Sequence, residues 1–151
     1  MAAFCLAMVF GTLADRQGLS ILETGLMSLL VFAGASQFIA LELWETPLPV
    51  LLILATTLAV NARHFLMGFT IAPLFRNSAA RVSYPAMFLM TDEIWGLSLK
   101  RMRNGSCDAW FFIGAGLCFY TLWVTGSVCG RLISDAVVDP AGLALDFLGT
   151  S

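Results

Sequence analysis

Apolar runs about as long as a membrane-spanning helix alternate with short polar turns in this chain, and that alternation restricts what it can fold into. An α-helix needs about 20 mostly apolar residues to cross the hydrocarbon core. Residues 21–41, 47–72, 82–99 and 110–133 each come near that length. A β-barrel would show apolar–polar alternation in strands of about ten residues, whereas these runs are continuous. The chain is 59% hydrophobic and only 12% charged, where an ordinary soluble domain carries about 25% charged residues. A soluble fold of this size has too little interior to hide that much apolar surface. The fold expected is an all-α integral membrane protein in one transmembrane domain. It is a polytopic helical bundle of about four full transmembrane helices with partial helices at both ends.

The boundaries between segments carry ordinary helix punctuation. The first fourteen residues lack the positive charge that opens a signal peptide, so they read as the tail of a membrane helix. The turn Asp15-Arg16-Gln17-Gly18 follows, and Ser20 with Glu23 has capping-box spacing. Trp44 is an aromatic suited to a headgroup interface, and Pro73 ends the third segment. A new apolar stretch begins at Gly142. Arg16, Arg76, Arg81 and Arg131 fall to one side and Lys100, Arg101 and Arg103 to the other, too even a split to orient the chain. A net charge of −2 with no basic face excludes a nucleic-acid partner. Cys5, Cys107, Cys118 and Cys129 form no C-x-x-C pair and read as small buried hydrophobes. No dinucleotide fingerprint, P-loop, nucleophile elbow or metal motif is present. Neither an enzyme nor a bound cofactor is expected.

The third segment holds the most chemistry. At about 100° per residue, Thr57, Asn61, His64 and Gly68 share one stripe, and Thr56, Arg63 and Thr70 share the next. Leu51, Leu54, Leu58, Ala62, Phe65 and Phe69 occupy the opposite side. One side suits lipid and the other must face protein or water. Arg63 lies far from either end, and an arginine near mid-membrane costs about 2.5–3.5 kcal/mol. It needs an anion. His64 and Asp92 are equally distant in sequence from Ser78, midway along the connecting loop, so Arg63 and Asp92 reach similar depth and are candidates for an intramembrane ion pair. Glu93 points about 100° away from Asp92, so both carboxylates cannot face one partner. Such a pair either holds helices together or handles substrate and protons. His64 suits a hydrogen bond better than a metal, since it is the single histidine.

The second segment contains Gly34, Ala35 and Ser36 followed by Gln37. Such small residues allow either close helix packing or a local break at a binding site. Gly126-x-x-x-Gly130 in the fifth segment reads as a packing motif.

Taken together these stretches resemble the AzlC family, the YgaZ/BrnF-like large subunits of branched-chain amino-acid exporters. The resemblance rests on Val31-Phe32-Ala33-Gly34-Ala35-Ser36-Gln37-Phe38, Asn61-Ala62-Arg63-His64, Thr91-Asp92-Glu93, Tyr120-x-x-Trp123-x-x-Gly126-x-x-x-Gly130 and Leu145-Asp146-Phe147, in that order. It covers nearly the whole chain and implies that the chain is truncated at both ends relative to the family. It also implies efflux of leucine, isoleucine, valine and sometimes methionine across a bacterial plasma (inner) membrane, driven by an ion gradient such as that of protons. A small hydrophobic AzlD-type membrane subunit is the implied partner. A zwitterionic substrate needs a cation for its carboxylate and an acceptor for its ammonium. Arg63, Asp92, Glu93, Asn61, His64, Ser36, Gln37 and Gly34 are therefore the candidate substrate-binding or coupling residues. The other reading is a structural membrane subunit, or an inactive fragment, that binds no substrate itself.

Overall fold

A computed structural model describes residues 2–105 and 107–138, the last four by backbone alone. Among the described residues every regular element is helical. The elements are α1 (Ala2–Arg16), α2 (Ile21–Val31), α3 (Gly34–Glu42), α4 (Val50–Asn61), α5 (Arg63–Ile71), α6 (Ala80–Phe88), α7 (Asp92–Arg103) and α8 (Ala109–Val138), with a 3₁₀ turn at Ala72–Phe75 after α5. Gly142 and the Leu145-Asp146-Phe147 motif lie outside the described residues.

The expectation of four full helices is corrected in two places. The segment at 21–41 is divided into α2 and α3, and that at 82–99 into α6 and α7. Among the described residues, Val50–Phe75 and Ala109–Ser134 are long and apolar enough to cross a bilayer as single helices. The first break follows from Phe32, which takes a left-handed φ of 34°, and from extended Ala33 just before Gly34. The second falls at 89–91, after α6 has run through Pro85 to Phe88, where an extended Thr91 caps α7 and its hydroxyl accepts from the Ile94 amide at 3.4 Å. Between α4 and α5 the interruption is slight, since Ala62 keeps right-handed helical angles.

The helices form two compact units, and α8 contributes residues to each. In the unit of α1, α2 and the end of α8, glycines set the packing. A Cβ on Gly11 would overlap the Ser127 carbonyl, and one on Gly130 would overlap the Met8 backbone. The Gly126–Gly130 spacing therefore marks close helix packing, as expected. Ser20 and Glu23 make the capping box: the Ser20 amide donates to Glu23 Oε2 at 2.8 Å, and the Glu23 amide donates to Ser20 Oγ at 3.2 Å. Arg131 is not a loop residue, as the orientation count assumed. It sits within α8, pairs with Asp15 at 2.8 Å and donates to the Leu19 carbonyl at 2.7 Å. Ser134 donates to the other Asp15 oxygen at 2.6 Å. This network ties the α1–α2 turn to α8.

In the other unit, Phe32–Thr121, the core gathers Ile71, Phe75, Ala86, Met90, Ile94 and Phe112. Leu89, at the α6–α7 break, packs against Gly116 of α8, where a Cβ would meet the Leu89 side chain. The cysteines depart from expectation, since Cys5 and Cys118 are exposed. A thiol behaves as a small hydrophobe, so an apolar outer surface suits it as well as a core.

Gly130→Ala forces a methyl into the Met8 backbone and is expected to cost about 1–3 kcal/mol. Gly114→Ala, whose Cβ meets nothing within 4 Å, is expected to be tolerated. Thermal unfolding of the two variants in detergent tests this: equal midpoints would show that the glycine contact is not tight.

Candidate functional site

The site is built where helices are interrupted. Arg63 opens α5 and Asp92 opens α7, and Arg63 Nη2 lies 2.8 Å from Asp92 Oδ2. The pair forms even though residues 89–91 interrupt the helix, because α7 restarts at Asp92 itself. Its two side chains are 42% and 43% exposed, so the pair is accessible. Asp92 and Glu93 occupy the first turn of α7, where the positive end of the helix dipole favours carboxylates. Lys100, Arg101 and Arg103 occupy the last turn, where cations are favoured.

A second contact joins α5 and α7. Trp95 Nε1 donates to Thr70 Oγ1 at 2.7 Å, and Thr70 in turn donates to the Met67 carbonyl. Sequence reasoning placed Thr70 on a polar stripe but did not find Trp95. The signal was there: Trp95 follows Asp92 by three residues and Thr70 follows Arg63 by seven, so each is on the same helix face as its neighbour.

A single shifted backbone hydrogen bond at Ala62 gives the Asn61 carbonyl a different donor. The Phe65 amide bonds to Ala62, and His64 Nδ1 lies 3.1 Å from the Asn61 carbonyl. A carbonyl only accepts, so Nδ1 is the donor, and Nε2 of a neutral ring keeps its lone pair. The side-chain Oδ1 of Asn61 is buried with no hydrogen-bond partner. Two further hydroxyls share that state, those of Ser36 in α3 and Ser98 in α7. Buried polar atoms are nearly always paired, and of the three Ser98 has a neighbouring polar group, the Cys107 thiol. Gln37 is fully buried one residue beyond Ser36, and Gly34 begins α3. Glu93 is exposed and makes no ion pair among the described residues. α3 packs on α4, and α5 on α7, so the candidates fall on two packed helix pairs of one compact unit.

The first polar stripe of α4 and α5 agrees with the sequence pattern, whereas Arg63 and Thr70 of the second stripe are exposed. Leu51, Leu58, Phe65 and Phe69 are exposed, Leu51 to 83%, whereas Thr57, Asn61, His64 and Gly68 are half-buried. Nearby, the strained Phe32 is held by rings. Its ring centroid lies 4.8 Å from Tyr120 and 6.0 Å from Phe88. Such contacts offset the roughly 1–2 kcal/mol of a left-handed residue.

These features define an all-α integral membrane protein that keeps charged and hydrogen-bonding groups inside apolar segments. The chain belongs to the AzlC family: residues 1–137 match the family described as AzlC protein. It is 33% identical over 138 residues to an Archaeoglobus fulgidus protein named an uncharacterized membrane protein, covering 91% of this chain and 59% of the relative. It is 26% identical to the Bacillus subtilis branched-chain amino acid transport protein AzlC, covering 87% of this chain and 52% of that one. It is 30% identical to the Escherichia coli inner membrane protein YgaZ, with coverage of 87% and 55%. The chain thus spans a little over half the length of these curated relatives. No solved structure matches it. The family is not an enzyme family.

The Arg63–Asp92 contact predicts a thermodynamic coupling. In a double-mutant cycle of Arg63→Gln and Asp92→Asn, each single variant is expected to lose stability. The double variant is expected to lose less than their sum, with a coupling of about 0.5–3 kcal/mol. Additive losses would show that the two side chains do not interact.

Proposed function

We propose that this chain carries the substrate site of a branched-chain amino-acid exporter in a bacterial inner membrane, as the large subunit beside a small AzlD-type membrane partner. The observation that carries this reading is the accessible Arg63–Asp92 ion pair set between apolar helices. The name of the Bacillus subtilis relative supports the substrate class, and that of the Escherichia coli relative supports the membrane.

The chemistry is an exchange of partners. A free amino acid at neutral pH is a zwitterion, so it can enter the pair in series. Its carboxylate takes Arg63 through charge-assisted hydrogen bonds, and its ammonium takes Asp92. Each charge keeps a counter-charge throughout, so neither is left unpaired between apolar helices. The vacant Asn61 Oδ1 and Ser36 Oγ accept from the ammonium, with Gln37 beside them and Gly34 letting the backbone approach. Apolar neighbours hold the branched side chain. Glu93, exposed and outside any ion pair among the described residues, and His64, with Nε2 free to accept, are the candidates to carry a coupling proton.

A second reading, a structural subunit that binds no substrate, is favoured by the Trp95–Thr70 hydrogen bond, which clamps the same two helices. One experiment separates the two. Cells lacking their own exporter are loaded with a valine- or leucine-containing dipeptide and express this chain together with a small partner subunit. Arg63→Ala is expected to abolish efflux while the protein still accumulates in the membrane. The swapped pair Arg63→Asp with Asp92→Arg is likewise expected to accumulate without restoring efflux. Normal efflux from Arg63→Ala would refute the site, and efflux restored by the swap would make the pair structural.

A further inference from the structure

A groove outside this pair has the chemistry of a lipid site. It has a volume of about 430 Å³ and opens between α6 and α8, lined by Arg81, Val82, Pro85, Leu89, Leu117 and Tyr120 among others. Its lining is almost wholly apolar, and Arg81 is the one charged side chain in it. Arg81 makes no ion pair among the described residues. It is the second residue of α6, directly after the polar loop at 76–79. Leu89 lies eight residues further on, roughly 12 Å deeper at helical rise. Tyr84, one turn beyond Arg81, is 78% exposed, as aromatic residues at a headgroup interface are.

The groove therefore has a cation at its mouth and an apolar floor running along the helices. No carboxylate lines it. A zwitterionic amino acid bound here would leave its ammonium without a counter-charge, which an apolar groove penalises. A monoanionic head on an apolar tail meets every surface with its complement. We infer that this groove holds one anionic phospholipid, with its phosphate on Arg81 and an acyl chain along Val82, Pro85, Leu89 and Leu117.

The floor gives such a lipid a structural consequence. Phe88, Leu89 and Tyr120 line the groove, and Phe88 and Tyr120 are also the rings that hold Phe32 at the α2–α3 break. An acyl chain against them braces both interrupted segments at once.

Native mass spectrometry of the detergent-solubilised protein tests the inference, using added phosphatidylglycerol or phosphatidylcholine. The protein is expected to retain one phosphatidylglycerol at least tenfold more readily than phosphatidylcholine. Arg81→Gln is expected to remove that preference, and Leu117→Trp, which fills the groove, to abolish retention. Added leucine is expected to displace nothing. Equal retention of the two lipids by the unaltered protein would overturn the inference without relying on any variant. So would an unchanged preference in Arg81→Gln, or displacement of the lipid by leucine, which would give the groove to the amino acid instead.

Discussion

An arginine placed inside an apolar segment obliges the rest of the chain to supply an anion at the same depth, because an unpaired guanidinium there costs several kcal/mol. Asp92 meets that demand, 2.8 Å from Arg63. Much of the surrounding structure follows from bringing the two together. α7 starts at Asp92 itself, with extended Thr91 as its N-cap, so the carboxylate sits at the start of a helix within reach of Arg63. The amide end of α7 then stabilises the carboxylate that it presents. Trp95 and Thr70 repeat the α5–α7 connection further along, so the ion pair is not the only tie between those helices.

Interrupting a helix inside a membrane frees backbone groups that lipid cannot satisfy, so such breaks persist only where protein or a water-filled cavity covers them. Each break here has its own local compensation. His64 takes up the Asn61 carbonyl, Thr91 caps α7, and the rings around Phe32 hold its left-handed backbone. Side-chain oxygens on Ser36, Asn61 and Ser98 have no such compensation. They lie on the same helices as the breaks or beside them.

Much of this was legible in the sequence, for identifiable reasons. Apolar run length located the segments, because bilayer thickness fixes how long a spanning helix must be. The facing of α4 and α5 followed from helical periodicity, with Leu51 and Phe69 outward and Asn61 inward. The Arg63–Asp92 contact followed from charge complementarity and equal depth. The breaks at 32–33 and 89–91 were less visible, since apolar content says nothing of backbone continuity. The small residues after Phe32 allowed a break or close packing equally, and the backbone decided between them. The role of Arg131 was hidden because its partner, Asp15, lies more than a hundred residues away in sequence. Trp95 escaped because a lone tryptophan in an apolar run looks like packing until a hydroxyl is placed beside its ring nitrogen.

The central claim is that the Arg63–Asp92 pair opens to admit a zwitterion, and ligand discrimination tests it most directly. Binding of leucine, of its amine analogue without the carboxylate and of its acid analogue without the ammonium is measured by calorimetry on the purified chain, with and without the proposed small membrane subunit. Leucine is expected to bind, and each singly charged analogue at least tenfold more weakly, about 1.4 kcal/mol, because each leaves one member of the opened pair unpaired. Analogues that bind as tightly as leucine would contradict the claim.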